Sequence, residues 1–237
     1  MEYPAFLPAG DCALSVEFGD AIHPEINARI RALREALERK PIRGVREYVP
    51  TFRSLLVLYE PCVLGFDRLV KKLQARMAGL RGVAEGKRRV YVIPVCYNGE
   101  DLDFVAAHAR ITREEVVRLH CAPDYLIYML GFLPGFAYLG GLDAKLHTPR
   151  LQNPRTKIPA GAVGIGGEQT GIYPLDSPGG WRLIGRTPVR PYDASRAQPI
   201  LYAAGDFIRF APIAMVEYAD LERRQAAGET IWEVREA

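Results

Sequence analysis

The sequence predicts an α+β protein with two domains, residues 1–86 and 87–237. Patterns typical of helices and strands alternate over the first third of the chain, whereas the later part contains many short strand-like runs separated by Gly and Pro. The chain has 237 residues, enough for one large or two small domains. Its composition, 49% hydrophobic and 25% charged, is that of a folded globular protein.

The first domain is expected to contain six elements in the order β-α-β-β-α-β, which is that of a ferredoxin-like unit. They are, in chain order, a strand at 12–19, a helix at 24–40, strands at 44–50 and 54–60, a helix at 66–80 and a strand at 88–97. The first helix is supported by Ile30, Leu33 and Leu37, which recur at helical spacing. The sequence leaves open whether the last strand joins this sheet or begins the second domain. The domain boundary is placed near Ala84–Lys87.

The second domain is expected to be rich in short strands. Its elements are helices at 100–109 and 112–121, strand-like runs at 124–130, 162–167, 171–175, 181–185 and 206–210, and a late helix at 216–229. Thr112 stands at the N-cap of the second of these helices, with Glu115 at the capping-box position. Short strands divided by Gly and Pro turns predict a closed or nearly closed β-barrel or a sandwich.

Charge and composition exclude several classes of protein. The net charge is +3 at pH 7, too small to indicate a nucleic-acid or membrane partner. The first twenty residues lack the basic and apolar regions of a signal peptide, and no apolar run approaches the ~18 residues of a membrane helix. The four cysteines lie far apart without a CxxC motif, which favours buried free thiols in a reducing compartment. A cytoplasmic protein is therefore expected.

Several motif-like stretches fail the spacing that their chemistry requires. In GVAEGKRR, Gly82 and Gly86 stand one residue too close for a phosphate-binding loop, and Arg88 takes the place of Ser or Thr. In GIGGEQ, residues 164–169, a Gln replaces the third glycine of a dinucleotide-binding fingerprint, which favours a tight hairpin. Ser177 lacks the GxSxG context of a hydrolase. The four histidines lack the spacing of a zinc motif, and no metal site is predicted.

The segment from Ala144 to Gly167 is basic and contains no Asp or Glu. Two of its cations, Arg150 and Arg155, follow prolines, and Lys157 lies close behind them. Proline stiffens the approach to each guanidinium, and a guanidinium presents a planar set of donors suited to a carboxylate or a phosphate. Two interpretations stay open. The arginines bind an anionic ligand, or they pair with acidic side chains elsewhere in the fold.

The surrounding region is rich in glycine and in aromatic rings. Twelve of the 58 residues from Gly131 to Pro188 are Gly, against 22 in the whole chain. The glycines of SPGGW let the backbone approach a ligand closely, and Trp181 either walls a pocket or fills the core. The candidate substrate-binding residues are Arg150, Arg155, Lys157, Gln169, Thr170, Tyr173, Ser177, Gly179, Gly180 and Trp181. The sequence identifies no catalytic residue.

Several stretches resemble the family of bacterial 5-oxoprolinase B subunits. They are GFLPGFAYLGGL, the long block from Thr148 to Pro188, AAGDFIRF, and FLPAGDCALSVEFGD near the N-terminus. The resemblance therefore covers nearly the whole chain, and the long central block is its most specific part. The same family includes the sporulation-kinase inhibitor KipI and is often labelled allophanate hydrolase subunit 1.

The resemblance implies an N-terminal α+β domain and a C-terminal cyclophilin-like β-barrel domain. It also implies a complex with the A and C subunits of 5-oxoprolinase, which opens 5-oxo-L-proline to L-glutamate at the expense of ATP. The B and C subunits together resemble the carboxyltransferase-type domain of urea carboxylase. Because the chain has no recognised ATP motif, we expect it to supply half of an active site, with ATP bound by or with another protein of the complex. The alternative function is a KipI-like inhibitor of a sensor histidine kinase.

Overall fold

The computed structural model describes residues 2–80 and 88–236. The chain divides into two compact units, Met1–Gly86 and Lys87–Ala237, which we call unit 1 and unit 2. The GVAEGK segment and the predicted boundary near Ala84–Lys87 lie outside the described residues, so the position of the boundary stays a prediction. In the described ranges, no helix combines the length and the apolar character needed to cross a bilayer.

Over residues 2–80, unit 1 consists of a four-stranded sheet and two helices. Its elements are β1 (Ala5–Pro8), β2 (Ala13–Glu17), α1 (Pro24–Arg39), β3 (Val45–Pro50), β4 (Ser54–Tyr59) and α2 (Phe66–Ala78). The strand order is β1-β2-β4-β3, and every neighbouring pair is antiparallel. Apart from β1, each element is predicted from the sequence and confirmed with slightly shorter ends.

The core of unit 1 follows from the two hydrophobic periods. In β2, Leu14 and Val16 are fully buried while the residues between them are only partly so, as alternation along a strand requires. In α1, Ile30, Leu33 and Leu37 are fully buried on one helical stripe. Burying each such side chain stabilises the fold by about 1.5–3 kcal/mol.

The sixth predicted strand does not belong to unit 1. This strand, β5 (Arg89–Val95), pairs in parallel with β13 (Phe207–Pro212) and antiparallel with β14 (Glu233–Glu236), both in unit 2. In unit 1, β1 lies beside β2 instead, and the chain between them turns at Gly10, where φ is +67°. An N-terminal hairpin therefore completes the sheet of unit 1, and this answers the question that the sequence left open.

Between residues 88 and 236, unit 2 contains three sheets and three α-helices. The remaining elements are α3 (Leu102–Ala109), α4 (Arg113–Cys121), β6 (Tyr125–Leu130), β7 (Ala137–Gly140), a 3₁₀ turn (Ala144–Leu146), β8 (Arg155–Ile158), β9 (Ala162–Gly166), β10 (Gln169–Ile172), β11 (Ser177–Gly179), β12 (Arg182–Arg186) and α5 (Met215–Ala226). The sheets have the orders β14-β5-β13-β6-β7, β10-β9-β12 and β11-β8. The strands that the sequence did not predict, β7, β8, β11 and β14, have only three or four residues, too few to show a period.

The expectation of a closed barrel needs correction. Among the described residues, strand pairing does not join the three sheets into one closed ladder. One single bridge, between Cys96 directly after β5 and Arg186 of β12, joins the five-stranded sheet to the three-stranded sheet, and another pairs Thr148 of the loop before β8 with Gly167 of the β9–β10 hairpin. Gly and Pro interrupt β-ladders, because Gly has no side chain to pack and Pro has no backbone N–H to donate. The observed unit is therefore a mixed α+β structure in which several sheets pack around two buried apolar clusters.

Local details of unit 2 confirm two further predictions and correct a third. The hydroxyl of Thr112 accepts a hydrogen bond from the Glu115 amide at 3.2 Å, as the N-cap prediction requires. GIGGEQ forms the predicted tight hairpin between β9 and β10, with Gly167 at φ +66°. The cysteines are free thiols, but Cys12 and Cys62 are exposed, so the expectation of burial was wrong for these two.

Candidate functional site

Unit 2 contains an open cleft of about 300 Å³. Half of its lining residues are aromatic, and the lining comprises Phe132, Phe136, Tyr138, Arg150, Pro154, Tyr173, Pro178, Gly179, Gly180 and Trp181. Half of these residues belong to the predicted candidate set: Arg150, Tyr173, Gly179, Gly180 and Trp181. A concave, largely apolar surface with a few polar groups is typical of a small-molecule site. This cleft is therefore the candidate functional site.

Three aromatic rings form the wall of the cleft. Phe136 lies edge-to-face against Trp181 and Tyr173, with ring centroids 5.5 Å and 5.6 Å apart. Such edge-to-face pairs are favourable beyond the area that they bury. Trp181 is only 5% exposed and lies on Gly166 of β9, where a Cβ atom would overlap the indole. Trp181 therefore both fills the core and walls the cleft.

The backbone of β11 comes close to Tyr173 because residue 179 is glycine. A Cβ atom at Gly179 would lie 2.6 Å from the Tyr173 hydroxyl. Burial raises the pKa of the Tyr173 phenol above its ordinary value. The phenol therefore stays protonated at neutral pH and can donate a hydrogen bond.

Arg150 places a positive charge at the cleft. Its side chain is exposed, and the guanidinium carbon lies 5.9 Å from the centre of the Trp181 ring. No carboxylate among the described residues forms an ion pair with it. An arginine that stacks on a ring and is not neutralised by the protein can bind a carboxylate or a phosphate.

Phe132 lines the cleft from an unusual backbone conformation. Its φ is +67°, its side chain is 61% exposed, and its ring meets Phe136 edge-to-face at 5.6 Å. The left-handed region costs a non-glycine residue about 1–2 kcal/mol, and such strain is concentrated at functional sites. The candidate list from the sequence missed this residue. The signal that could have found it is GFLPGF, in which a large ring stands inside a turn between two glycines.

Arg155 is bound by groups of the protein itself. Its guanidinium forms ion pairs with Asp101 and Glu100, both at 2.8 Å, and donates to the backbone carbonyl of Trp181 at 3.1 Å. The Asp101 carboxylate also accepts a hydrogen bond from the Leu183 amide at 2.7 Å. Arg155 does not belong to the lining of the cleft. For this arginine, the geometry favours pairing with acidic side chains over binding of a ligand.

The other predicted residues also lie outside the lining of the cleft. Lys157 forms an exposed ion pair with Asp176 at 2.8 Å, which raises the pKa of Lys157 and lowers the pKa of Asp176. Gln169 begins β10 at the hairpin. Ser177 is buried in β11, and its hydroxyl has no hydrogen-bond partner among the described residues.

Thr170 belongs to a buried polar network. Its hydroxyl donates to the Gly164 carbonyl at 3.0 Å and lies 2.7 Å from Nε2 of His120. The Tyr97 hydroxyl lies 2.7 Å from Nδ1 of the same ring. Because the Thr170 proton is directed to Gly164, the network assigns the imidazole proton to Nε2, and Tyr97 then donates to Nδ1. Burial lowers the pKa of His120 to about 3, so the ring is neutral.

The cleft can bind a ligand, but the tyrosine phenols are the candidate proton donors of its described lining. Its described lining includes no His, Cys, Asp or Glu side chain. In the ranges that the structure describes, no group of three or more such side chains could hold a metal ion. The arrangement suits a small ligand with a planar ring and one anionic group.

Two curated proteins are similar to the chain over most of their length. A 5-oxoprolinase B subunit of Bacillus subtilis is 38% identical over 222 residues, which cover 88% of this chain and 92% of that protein. A 5-oxoprolinase B subunit of Escherichia coli is 41% identical over 207 residues, which cover 86% of this chain and 93% of that protein.

A solved structure and a family pattern agree with these similarities. The crystal structure of TTHA0988 matches with a TM-score of 0.77 at 42% sequence identity, over 85% of this chain and 40% of that one. The chain thus corresponds to less than half of TTHA0988. Residues 4–202 match the family described as carboxyltransferase domain, subdomain C and D, and this range includes the whole described lining of the cleft. The chain therefore belongs to the family of carboxyltransferase domains, subdomains C and D.

Proposed function

We propose that this chain is the B subunit of an ATP-dependent 5-oxoprolinase, which converts 5-oxo-L-proline to L-glutamate together with the C and A subunits. The observation that carries the proposal is the similarity to two curated 5-oxoprolinase B subunits, which extends over at least 86% of each chain. Similarity over this length includes both units and not only the cleft.

The cleft suits this substrate in size and charge. 5-Oxo-L-proline is a small five-membered lactam that carries one carboxylate. The guanidinium of Arg150 can donate two parallel hydrogen bonds to that carboxylate. The rings of Phe136, Tyr173 and Trp181 provide an apolar wall for the lactam ring. A volume of about 300 Å³ lies at the small end of the range for ligand pockets.

The chain is expected to bind the lactam without opening it. A lactam is a resonance-stabilised amide, and the proposed reaction takes the energy for its opening from ATP. The described lining offers no carboxylate, imidazole or thiol. Its one cation, Arg150, does not match the several negative charges of the triphosphate of ATP. We therefore place ATP outside the cleft, bound by or with another protein of the complex. We assign the completion of the active site to the C subunit and the completion of hydrolysis to the A subunit.

The finer description of the fold is also a proposal. Unit 2 is a cyclophilin-like barrel whose ladder is interrupted, and unit 1 is a ferredoxin-like unit that β1 completes. The two single bridges, Cys96–Arg186 and Thr148–Gly167, support this description of unit 2, since they connect segments that belong to different sheets or loops.

Reconstitution tests the proposed function. The chain and the A and C subunits are purified from one source, separately and together, and glutamate release from 5-oxo-L-proline is measured with and without ATP. We expect release only when ATP and all three proteins are present. Absence of release from the assembled complex would contradict the proposed function, and robust release by the single chain would contradict the division of labour.

A further inference from the structure

Unit 1 contains a groove of about 770 Å³, whose lining shares no residue with that of the aromatic cleft of unit 2. Four cations line it: Arg43, Arg68, Lys71 and Lys72. Their side chains are exposed, and no acidic residue belongs to the described lining. A groove lined by charges of one sign raises the local concentration of ligands of the opposite sign.

Three of the four cations lie on one face of α2. Arg68, Lys71 and Lys72 stand at positions i, i+3 and i+4, where side chains of a helix are neighbours. Like charges at this spacing repel one another, and Asp67 of the same helix, four positions before Lys71, offsets only part of that repulsion. An anion bound between them would remove that repulsion.

The fourth cation is held beside the same face by close backbone packing. Arg43 precedes Gly44, whose φ is +93°. A Cβ atom at Gly44 would lie 2.9 Å from the Cβ of Leu64 and 3.2 Å from Cγ1 of Val63, the two apolar residues of the groove. The turn that carries Arg43 therefore packs against the segment that leads into α2.

In the described part of unit 1, none of the four cations of the groove has a carboxylate partner, a property that Arg39, Lys40 and Arg76 share. Within residues 2–80 and 88–236, no ion pair joins any of them to an acidic side chain. By contrast, three arginines of unit 1 are paired with Glu38, Glu60 and Glu17: Arg34, Arg46 and Arg53. The positive charge of the groove is therefore left for an external group.

We propose that the groove binds an oligophosphate, either free or as part of a nucleoside triphosphate. Four converging cations match the three to four negative charges of a triphosphate, and the volume lies within the range of small-molecule sites. No aromatic residue lines the described groove, which disfavours a nucleic-acid strand because single strands bind through stacked bases. The inference rests on unit 1 alone and does not depend on the proposed function of the chain.

Calorimetric titration of the full chain tests this inference. The probes are inorganic triphosphate, ATP, AMP and adenosine at low ionic strength, with poly-glutamate as an acidic polymer. We expect triphosphate and ATP to bind at one site per chain, AMP to bind more weakly and adenosine not to bind. The ratio of the triphosphate and ATP affinities distinguishes a site for the phosphates alone from a site that also contacts the nucleoside. Screening should weaken binding as salt is raised.

A variant without two of the cations of the groove, and a control that loses the same charge elsewhere, locate the site. Lys71→Gln/Lys72→Gln should weaken triphosphate binding by about tenfold or more. Arg223→Gln/Arg224→Gln removes two cations from the exposed face of α5 and should leave the affinity unchanged. Cys62 lines the groove and is exposed, so bound triphosphate should slow its alkylation, whereas Cys12, exposed but outside the groove, serves as an internal control.

Three results would overturn the proposal. They are no binding of triphosphate or ATP at millimolar concentration, equal affinity of the wild type and the Lys71→Gln/Lys72→Gln variant, and binding of poly-glutamate without binding of triphosphate. The last result would show that the groove docks an acidic protein segment. Far-UV circular dichroism of both double variants shows whether the fold is retained. We expect it to be retained, because all four substituted residues are exposed.

Discussion

Arg155 and Asp101 form an ion pair of 2.8 Å across 54 positions of the sequence. The Asp101 carboxylate, whose side chain is 9% exposed, also pairs with Arg182 at 3.3 Å and accepts from the Leu183 amide at 2.7 Å. Arg155 begins β8 and Arg182 begins β12, so one carboxylate at the start of α3 connects two separate sheets. The pair therefore belongs to the scaffold behind the cleft.

We expect Arg155→Ala to destabilise the chain. Removal of this guanidinium leaves Asp101 short of its strongest donor in a nearly buried position. The full penalty for a stranded buried charge is about 3–5 kcal/mol, and Arg182 and the Leu183 amide remain to reduce it. We expect a loss of about 2 kcal/mol in the free energy of unfolding, measured by urea denaturation.

The matched control for this variant is Lys157→Ala, two residues further along β8. Lys157 and Asp176 are 71% and 53% exposed, so their ion pair is worth little. The control should leave the free energy of unfolding close to that of the wild type. An equal, small effect of both substitutions would show that the Arg155 pair is not structural and would return Arg155 to the ligand-binding interpretation.

This ion pair shows which part of the molecule the sequence can and cannot predict. Features that depend on neighbouring residues are predicted correctly, because the residues that determine them lie within a few positions of one another. Examples are the apolar stripe of α1 and the N-cap of α4 at Thr112. The partner of Arg155 lies in a different segment, and only the fold brings Asp101 to it. The same limit applies to β5, whose neighbours in the sheet are decided by strands more than a hundred residues away.

The candidate site was predicted in part for the same reason. The rings and glycines around Trp181 indicate a shaped surface, because their density is unusual in the sequence itself. Arg150 and Arg155 have the same local sequence context, because each follows a proline. Only the fold shows that acidic side chains bind Arg155, whereas Arg150 lines the cleft. Phe132 was missed because its significance lies in a positive φ, which the sequence favours only for glycine.

His120 should make stability depend on pH. Its folded-state pKa is lowered to about 3 from 6.5, because burial disfavours the charged ring. The groups around it, Tyr97, Thr170, Tyr125 and Phe210, are uncharged. Below pH 6.5, the imidazole of the unfolded chain therefore binds a proton that the folded chain does not bind. This proton uptake favours the unfolded state, so the free energy of unfolding decreases as pH falls from 6.5 toward 3. We expect about 1.4 kcal/mol per pH unit, or about 2 kcal/mol at pH 5.

Urea unfolding at about pH 7.5 and about pH 5 measures this effect. His120→Gln removes the titrating ring, so the variant should lose less stability than the wild type between the two pH values, even if it is less stable at both. Carboxylates that titrate in this range contribute equally to both proteins. Identical pH slopes for the two proteins would show that His120 is not the neutral, buried group that its surroundings indicate.

Substitution of Phe132 should affect ligand binding more than folding. Phe132→Gly removes an exposed ring and relieves the strain of a positive φ, while it increases the flexibility of the unfolded chain. These effects offset one another, so we expect a change below about 1 kcal/mol in the unfolding free energy. Phe132→Ala removes the same ring but keeps the strain, and it should be less stable than Phe132→Gly by about 1 kcal/mol.

Both Phe132 variants should raise the KM for 5-oxo-L-proline in the reconstituted complex, because both remove one side of the cleft. A KM equal to that of the wild type in both variants would remove Phe132 from the site. A loss of more than about 2 kcal/mol in Phe132→Gly would show that the ring has a structural role.

Arg150 should be required for substrate binding but not for folding. It is exposed, lies over Trp181 and has no carboxylate partner among the described residues, so its removal strands no buried charge. Arg150→Ala should lower kcat/KM of the assembled complex by about 10- to 100-fold, the equivalent of one charge-assisted contact of about 1.5–3 kcal/mol. The unfolding free energy of the isolated chain should change by less than about 0.5 kcal/mol.

Two further variants separate a specific contact from a general effect of charge. Lys145→Ala removes a cation from the same basic segment but outside the described lining of the cleft, and it should leave kcat/KM unchanged. Arg150→Lys keeps the charge but loses the planar pair of donors, so it should recover only part of the activity if the carboxylate is bound by two parallel hydrogen bonds. Equal losses in Arg150→Ala and Lys145→Ala would mean that the segment acts through its overall charge. Full activity of Arg150→Ala would place the substrate carboxylate elsewhere and leave the aromatic wall as the contribution of this chain to the site.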